Sequence, residues 1–280
     1  MKRLFLLAAV LSFSLLQLKA QQLTVATYNL RYDNLQDKGN LWKDRKAAVA
    51  ALINFHDFDV FGIQEGLQNQ LDDILSTLPQ YVRYGKGRDD GKEGGEHSAI
   101  FYKKDKFKLL GSGDFWLSET PDKPGLGWDA TCCNRICSWV YLYDLKSKKK
   151  FYFFNTHFDH QGKVARMESA KLMVQKIKQI AGNTDAILTG DFNGGRETEW
   201  YQSLANSGTL HDTYKDVKRP YENNGSFNNF GKGETGEGVI DHIFGTSRVS
   251  ATKWGILTDT YHGKYTSDHF PVMAVISFRK

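Results

Sequence analysis

Short runs of β-branched and aromatic residues alternate along this chain with longer stretches in which apolar side chains recur every three or four positions. Leu23, Val25 and Thr27 alternate with Thr24, Ala26 and Tyr28, a period of two that predicts a strand over residues 22–29. From Trp42 to His56 the apolar positions 42, 49, 52, 53 and 55 keep a helical rhythm, and the apolar run 59–64 reads as a second strand. Residues 67–78 return to helical spacing and stop at Pro79.

Beyond Ser98 the pattern shortens into strands at 99–102, 108–112, 135–144 and 150–156, with turn-forming residues between them. A helix over 163–180 leads into the apolar strand 186–189, and further strands are expected at 240–245, 253–258 and 271–278. Strand, helix, strand thus occurs once in each half. No Pro- or Ser-rich linker divides the chain and no short-period repeat is present. The expected fold is one α/β domain over residues 21–280, with two packed sheets and helices outside them.

Ahead of this pattern, Lys2 and Arg3 precede an apolar run from Leu4 to Leu16, and Leu18-Lys19-Ala20 stands before Gln21. That order predicts a secretory signal over residues 1–20 and an exported, periplasmic or extracellular, protein. The run is interrupted by Ser12 and Ser14 and falls short of the roughly 20 apolar residues that span a bilayer, so no integral membrane segment is expected. Composition, 40% hydrophobic and 25% charged, excludes disordered and fibrous classes. Removing Lys2, Arg3 and Lys19 with the leader leaves 34 basic against 32 acidic residues, a formal charge of +2 instead of +5. So small an excess neither supports nor excludes nucleic-acid binding.

Cys132, Cys133 and Cys137 fall within six residues and make neither a disulfide framework nor a zinc spacing. They read as small buried hydrophobes on a strand, with a local disulfide as the alternative. Residues 85–92 resemble a P-loop but are one residue short between glycines, and Glu93 stands where Ser or Thr is needed. This stretch and the glycine-rich 231–238 read as mobile surface loops, with a substrate-facing role as the alternative.

The polar residues carry the functional signal, because they gather at strand ends: Asn29, Gln64-Glu65, Asn155-Thr156-His157, Asp191-Phe192-Asn193, Asp241 and Asp268-His269. Carboxylates, amides and imidazoles at one rim make a polar cleft above a sheet core. The ordered set Thr27-Tyr28-Asn29-Leu30-Arg31, Ile63-Gln64-Glu65, Asn155-Thr156-His157, Gly190-Asp191-Phe192-Asn193, Ile240-Asp241-His242-Ile243 and Ser267-Asp268-His269-Phe270-Pro271 resembles the endonuclease/exonuclease/phosphatase family. The resemblance covers nearly all of the chain after residue 20. It implies a DNase I-like four-layer α/β/β/α sandwich and Mg²⁺-dependent hydrolysis of a phosphodiester or phosphomonoester, with Mn²⁺ as an alternative ion.

The resemblance also implies roles. Glu65 is the principal metal carboxylate, with Asn29 and Asp268 at the same site. Asp191 orients or deprotonates the attacking water, Asn193 donates to a phosphoryl oxygen, and His157 and His269 hold the phosphate. Glu96 and Asp241 match family positions whose carboxylates hydrogen-bond those histidines, pairing Glu96 with His157 and Asp241 with His269.

From the residues themselves, Arg135 shares a strand face with Cys137 and Trp139, so it and Arg31 are candidate substrate forks, with surface ion pairs as the alternative. Phe227 and Phe230 read as core or loop packing, with a substrate clamp as the alternative. The His157-Phe158-Asp159-His160 run resembles a binuclear zinc segment but lacks the H-x-H partner. The substrate expected is a small-molecule or lipid-headgroup phosphoester. An exported nuclease and a catalytically silent phospho-ligand binder are the competing readings, and no protein partner is evident.

Overall fold

The computed structural model describes residues 22–232 and 238–279. The expected leader lies outside the described residues, as does most of the 231–238 loop. The first half of the chain runs β1 (Leu23–Asn29), α1 (Trp42–His56), β2 (Val60–Gln64), α2 (Gln68–Thr77), β3 (Tyr81–Tyr84), β4 (Ile100–Lys103), β5 (Phe107–Trp116), β6 (Ile136–Asp144) and β7 (Lys150–His157). The second half runs α3 (Lys163–Ala181), β8 (Ala186–Asp191), α4 (Glu199–Ala205), β9 (His211–Asp212), β10 (Asp241–Gly245), β11 (Val249–Ile256), β12 (Thr260–Tyr261), β13 (Lys264–Tyr265) and β14 (Val272–Phe278).

Two six-stranded sheets form, in the orders β11-β14-β1-β2-β4-β3 and β5-β6-β7-β8-β10-β9. Each has one parallel pair at its centre, β1 with β2 and β7 with β8, joined by α1 and α3 respectively. The two strand–helix–strand units legible in the sequence are therefore the centres of the two sheets. Strand alternation decides what each face buries. Leu23, Val25, Val60, Phe151, Phe153, Ile187 and Ile243 join one cluster between the sheets. Their neighbours Ala26, Phe61 and Ile63 pack under α1 and α2, and Phe154, Leu188 and Phe244 under α3 and α4. The four layers are α/β/β/α.

Three boundaries differ from the sequence pattern. β5 extends to Trp116 because Gly111 and Gly113, weak in strand propensity, lie against the ring of Trp139 on β6. β3 was not visible as a separate strand, being four residues long with only Tyr81 fully buried. The short helix α4 was hidden among Gly, Asn and Thr residues, although it buries Trp200, Tyr201 and Leu204.

Candidate active site

Along the inward face of the central strands the side chains change from apolar to polar toward one end. On β1 the succession is Leu23, Val25, Thr27, Asn29; on β7 it is Phe151, Phe153, Asn155, His157; on β8 it is Ile187, Thr189, Asp191. β10 runs the opposite way and begins with Asp241. Sheet register then sets His157 beside Asp191 and Asp191 beside Asp241. The loops that follow add Arg31, Glu65 and Asn193, each in the left-handed region at φ of 57°, 61° and 47°. Such backbone is costly for a side-chain-bearing residue and concentrates at functional sites.

Asn29 Nδ2 donates to Glu65 Oε1 and to Asp191 Oδ2, both at 3.0 Å, while its Oδ1 accepts from Arg31 N. Asp191 Oδ1 accepts from Asn193 N at 2.9 Å, and Asn193 Nδ2 lies 3.1 Å from His157 Nε2. Asp191 Oδ2 is 3.6 Å from His157 Nε2 and 3.7 Å from His269 Nε2. His269 Nδ1 meets Asp241 Oδ2 at 2.9 Å, which is the expected pair. The other expected pair does not close: His157 Nδ1 and Glu96 Oε2 are 3.9 Å apart, beyond a hydrogen bond. Arg88 Nη1 takes that carboxylate oxygen instead, at 2.6 Å.

A cleft of about 820 Å³ opens over this floor. Glu65, Glu96, Arg31, Arg135, His157, Asp191, Asn193, Asp268 and His269 line it. Asn29 and Asp241, fully buried, sit beneath the lining and reach it through Glu65, Asp191 and His269.

The electrostatics divide the cleft. Burial opposes a proton on His269, but Asp241, Asp191 and Asp268 carry its pKa up to about 10. Burial, reinforced by Arg135 and Arg88, holds His157 well below the usual imidazole range. Burial and the charge of Asp241 push Asp191 up to about 7, against His269. Burial and Glu65 raise Glu96 to about 7, and burial is the main cause that lifts Asp268 to about 6.

Hard oxygen donors crowded until their carboxyls resist ionisation are what a divalent cation such as Mg²⁺ relieves. Asp268 is such a donor, and Glu65, whose charge helps to raise it, offers a second carboxylate to an ion, with Asn29 holding Glu65 in place. Asp191, Asp241 and His269 also approach one another within 4.8 Å. There, however, His269 Nδ1 is committed to Asp241, and a protonated ring has no lone pair for a metal.

Several expectations need correction. The 85–92 stretch lies at the surface and takes the substrate-facing alternative, since Arg88 lines the cleft and the turn is closed by internal bonds. Arg88 N bonds Glu96 O, Asp90 accepts from Lys92 N and Gly94 N, and a Cβ at Gly87 would stand 2.2 Å from Gly94 O. Cys132 and Cys133 are not buried on a strand. They form a disulfide between chain neighbours at the cleft wall, and only Cys137, on β6, is buried and free. Phe227 and Phe230 also line the cleft, Phe227 edge-on to His269 with ring centroids 5.0 Å apart.

Arg31 is held by Asp37 at 2.8 and 3.1 Å, and Arg135 is 3.5 Å from Asp159 and 2.8 Å from His160. Cys132, Asp159 and His160 approach one another within 4.8 Å, but Asp159 accepts from Gln161 N and Gly162 N, His160 Nδ1 meets Arg135, and Cys132 is joined to Cys133.

Sequence reasoning missed three residues, Arg88, His97 and Arg45, and the sheet-bridging part that Asn155 plays. Arg88 and His97 reach the site from the tight loop, where no periodicity marks them. Fully buried Arg45, read as part of a helical rhythm, donates to Leu30 O, Arg31 O and Thr266 O and so ties together the loops bearing Arg31 and Asp268. Asn155 donates to Ile63 O and Ala99 O and accepts from Gln64 and Thr189, bridging the two sheets below the cleft. Gly62 leaves it room, since a Cβ there would lie 2.1 Å from Asn155 Oδ1.

The profile of the Endonuclease/Exonuclease/phosphatase family matches residues 26–269. The chain belongs to this family. Similar solved structures include an endonuclease/exonuclease/phosphatase family protein from Bacteroides thetaiotaomicron, 45% identical with a TM-score of 0.90, covering 94% of this chain and 100% of that one. A mannosyl-6-phosphatase from Bacteroides thetaiotaomicron VPI-5482 is 46% identical with a TM-score of 0.88, covering 91% and 100%. An uncharacterized protein of Acanthamoeba polyphaga mimivirus is 30% identical over 84% of this chain and 91% of its own length. The fold is accordingly DNase I-like, and the chain is an endonuclease/exonuclease/phosphatase-family phosphoesterase. Among the described residues no helix is long and apolar enough to cross a membrane.

Proposed function

We propose that this endonuclease/exonuclease/phosphatase-family member is an exported, divalent-metal-dependent phosphoesterase acting on a small phosphorylated molecule. The observation that carries the reading is the convergence of Glu65, Asn29, Asp191, Asn193, His157, Asp241 and His269 on one cleft floor. A cleft of about 820 Å³ suits a sugar-sized group, and the 46% identity to a mannosyl-6-phosphatase supports a phosphosugar.

Glu65 and Asp268, with Asn29 behind Glu65, would hold Mg²⁺. When bound, that ion supplies Lewis-acid stabilisation of the charge on a phosphoryl oxygen. His269, kept cationic by Asp241, binds an anionic phosphoryl oxygen, while Asn193, whose Nδ2 donates to Phe158 O and lies 3.1 Å from His157 Nε2, holds the His157 ring in place. Asp191, steadied by Asn29 and Asn193 N, orients the attacking water opposite the leaving oxygen and receives its proton. His157 and Arg135 face the opposite wall and fix the rest of the phosphate.

The test is hydrolysis of a panel of sugar phosphates, nucleotides, single-stranded DNA, RNA and sphingomyelin by chelator-treated protein, with Mg²⁺, Mn²⁺ or Zn²⁺ restored. Turnover of a phosphosugar recovered by Mg²⁺ or Mn²⁺ is expected. Absence of metal-stimulated turnover across the panel, or restoration by Zn²⁺ alone, would overturn the reading. Mass spectrometry of protein from the native host tests export: a chain beginning at Gln21 is expected, and an intact leader contradicts it.

A further inference from the structure

Below the wall of the cleft formed by the 85–98 loop lies a recess of about 10 Å³, the room that one oxygen atom with its hydrogens occupies. Glu65, Arg88, Glu96, Arg135 and His157 line both the recess and the cleft, so the one opens beside the other. Three residues that line the recess carry a buried side-chain nitrogen able to donate and without a hydrogen-bond partner, Arg88 Nε, Arg135 Nη1 and His157 Nδ1, whereas His97 spends its Nδ1 proton on Gly66 O. Buried polar nitrogens are normally paired, and three unpaired donors on residues lining one small recess suit an acceptor atom. Arg135 is only 5% exposed, and its other donors are engaged by Asp159 and His160. Arg88 is fixed through its backbone, whose carbonyl accepts from Trp116 Nε1 at 2.7 Å and whose amide bonds Glu96 O.

We propose that this recess receives one terminal, unesterified phosphoryl oxygen, and that Arg88, with Arg135, makes the enzyme selective for phosphomonoesters over phosphodiesters. The proposal rests on the phosphoesterase reading above and deepens it. A monoester offers three terminal oxygens and up to two negative charges, whereas a diester offers two and one. A diester can also present an unesterified oxygen to the recess, so the discrimination rests on charge: two guanidinium groups, Arg88 and Arg135, favour the dianion of a monoester over the monoanion of a diester. Glu65 and Glu96 also line the recess, Glu96 with its carboxylate bound by Arg88 Nη1, so the groups there that can donate to an incoming oxygen are guanidinium and imidazole N–H groups. Arg88 is a specificity residue in this account, separate from the groups that activate water.

The experiment compares p-nitrophenyl phosphate with methyl p-nitrophenyl phosphate, which differ by one methyl ester and share a leaving group, using the full chain with Mg²⁺. The wild-type protein is expected to favour the monoester in kcat/KM by at least about 100-fold, because two guanidinium groups hold a dianion more strongly than a monoanion. Arg88→Ala should cut that ratio at least about tenfold by losing monoester turnover, with diester turnover changed less than about threefold. Arg88→Lys should fall between, since it keeps the charge and loses the fork. An unchanged ratio in Arg88→Ala, or equal losses on both substrates, overturns the proposal.

If Arg88→Ala does not fold, inhibition of the wild-type enzyme decides. Inorganic phosphate should compete at least about tenfold better than dimethyl phosphate, and equal competition overturns the proposal. A wild-type protein that hydrolyses both esters equally well overturns the selectivity while leaving the phosphoesterase reading intact. One that hydrolyses neither overturns both.

Discussion

His269 and His157 flank Asp191 at 3.7 and 3.6 Å from the same carboxylate oxygen, yet their electrical surroundings are opposite. Around His269 stand Asp241, Asp191 and Asp268. Around His157 stand Arg135, Arg88, His160 and His269 itself, with Glu96 drawn away to Arg88. Two rings of the same type thus serve as a fixed cation on one wall and a neutral hydrogen-bonding group on the other. The difference teaches that a histidine's role at a phosphate site is set by the partner its Nδ1 secures, and Asp241 secures one where Glu96 does not.

The largest effect should come from the residue that serves both walls. Glu65→Gln is expected to lower turnover at least about 100-fold and to weaken Mg²⁺ binding measured by calorimetry, while leaving the melting temperature close to wild type. Wild-type activity in that variant would remove Glu65 from the metal site.

Next comes the asymmetry itself. Asp241→Asn should cost on the order of 10–100-fold in kcat/KM, the range for a carboxylate that orients a working imidazole, and Glu96→Gln under about tenfold. In double-mutant cycles, Asp241 and His269 should couple by more than about 1 kcal/mol, and Glu96 and His157 by less than about 0.5 kcal/mol. Equal coupling of the two pairs would erase the contrast drawn from their distances.

Histidine NMR of the metal-free protein tests the charges directly. His269 should stay protonated well above pH 7 and titrate up toward its folded pKa of about 10. His157 should remain neutral below pH 6.5, having a depressed folded pKa. Linkage gives the two rings opposite signs. The raised pKa of His269 contributes stability that is full below about 6.5, the unfolded value, and is lost as pH rises to about 10. The depressed pKa of His157 contributes stability present above about 6.5 that is lost as pH falls below it. Superimposed titrations near 6.5 would contradict both.

The smallest effect is expected at Arg31, already engaged by Asp37 at 2.8 Å. Arg31→Lys should raise KM only about threefold and leave kcat unchanged, because the fork is largely spent on that carboxylate. A large loss in kcat would place Arg31 closer to the reacting phosphate.

The centre of each sheet was legible in the sequence because strand alternation and helical rhythm both act over many residues. α1 begins and ends where its apolar spacing does. The strand-end residues were legible for a related reason: a polar residue that extends the inward face of an apolar strand, as Asn29 extends Leu23, Val25 and Thr27, marks the end where the apolar core gives way to polar partners, which here lie beneath and along the cleft. Arg88 and His97 were not legible. Their positions follow from turns closed by Gly87 and Gly94 and from the Trp116 side chain, contacts between segments that no local period encodes. The Glu96–His157 expectation failed for the same reason, since Arg88, the competitor for Glu96, was invisible in the pattern.

Asn29 and Glu65 belong to one sheet and its loops, while His157, Asp191 and Asp241 belong to the other. The apolar layer between the sheets adheres without direction and would tolerate a sideways slip of one against the other. Asn155 acts as a dowel: both its donors and its acceptor oxygen are engaged across or beside the seam, at 2.6 to 3.0 Å. Alignment is therefore separated from adhesion. Changes in the oily layer alter how firmly the two halves hold together, whereas the dowel and the notch at Gly62 determine where they meet.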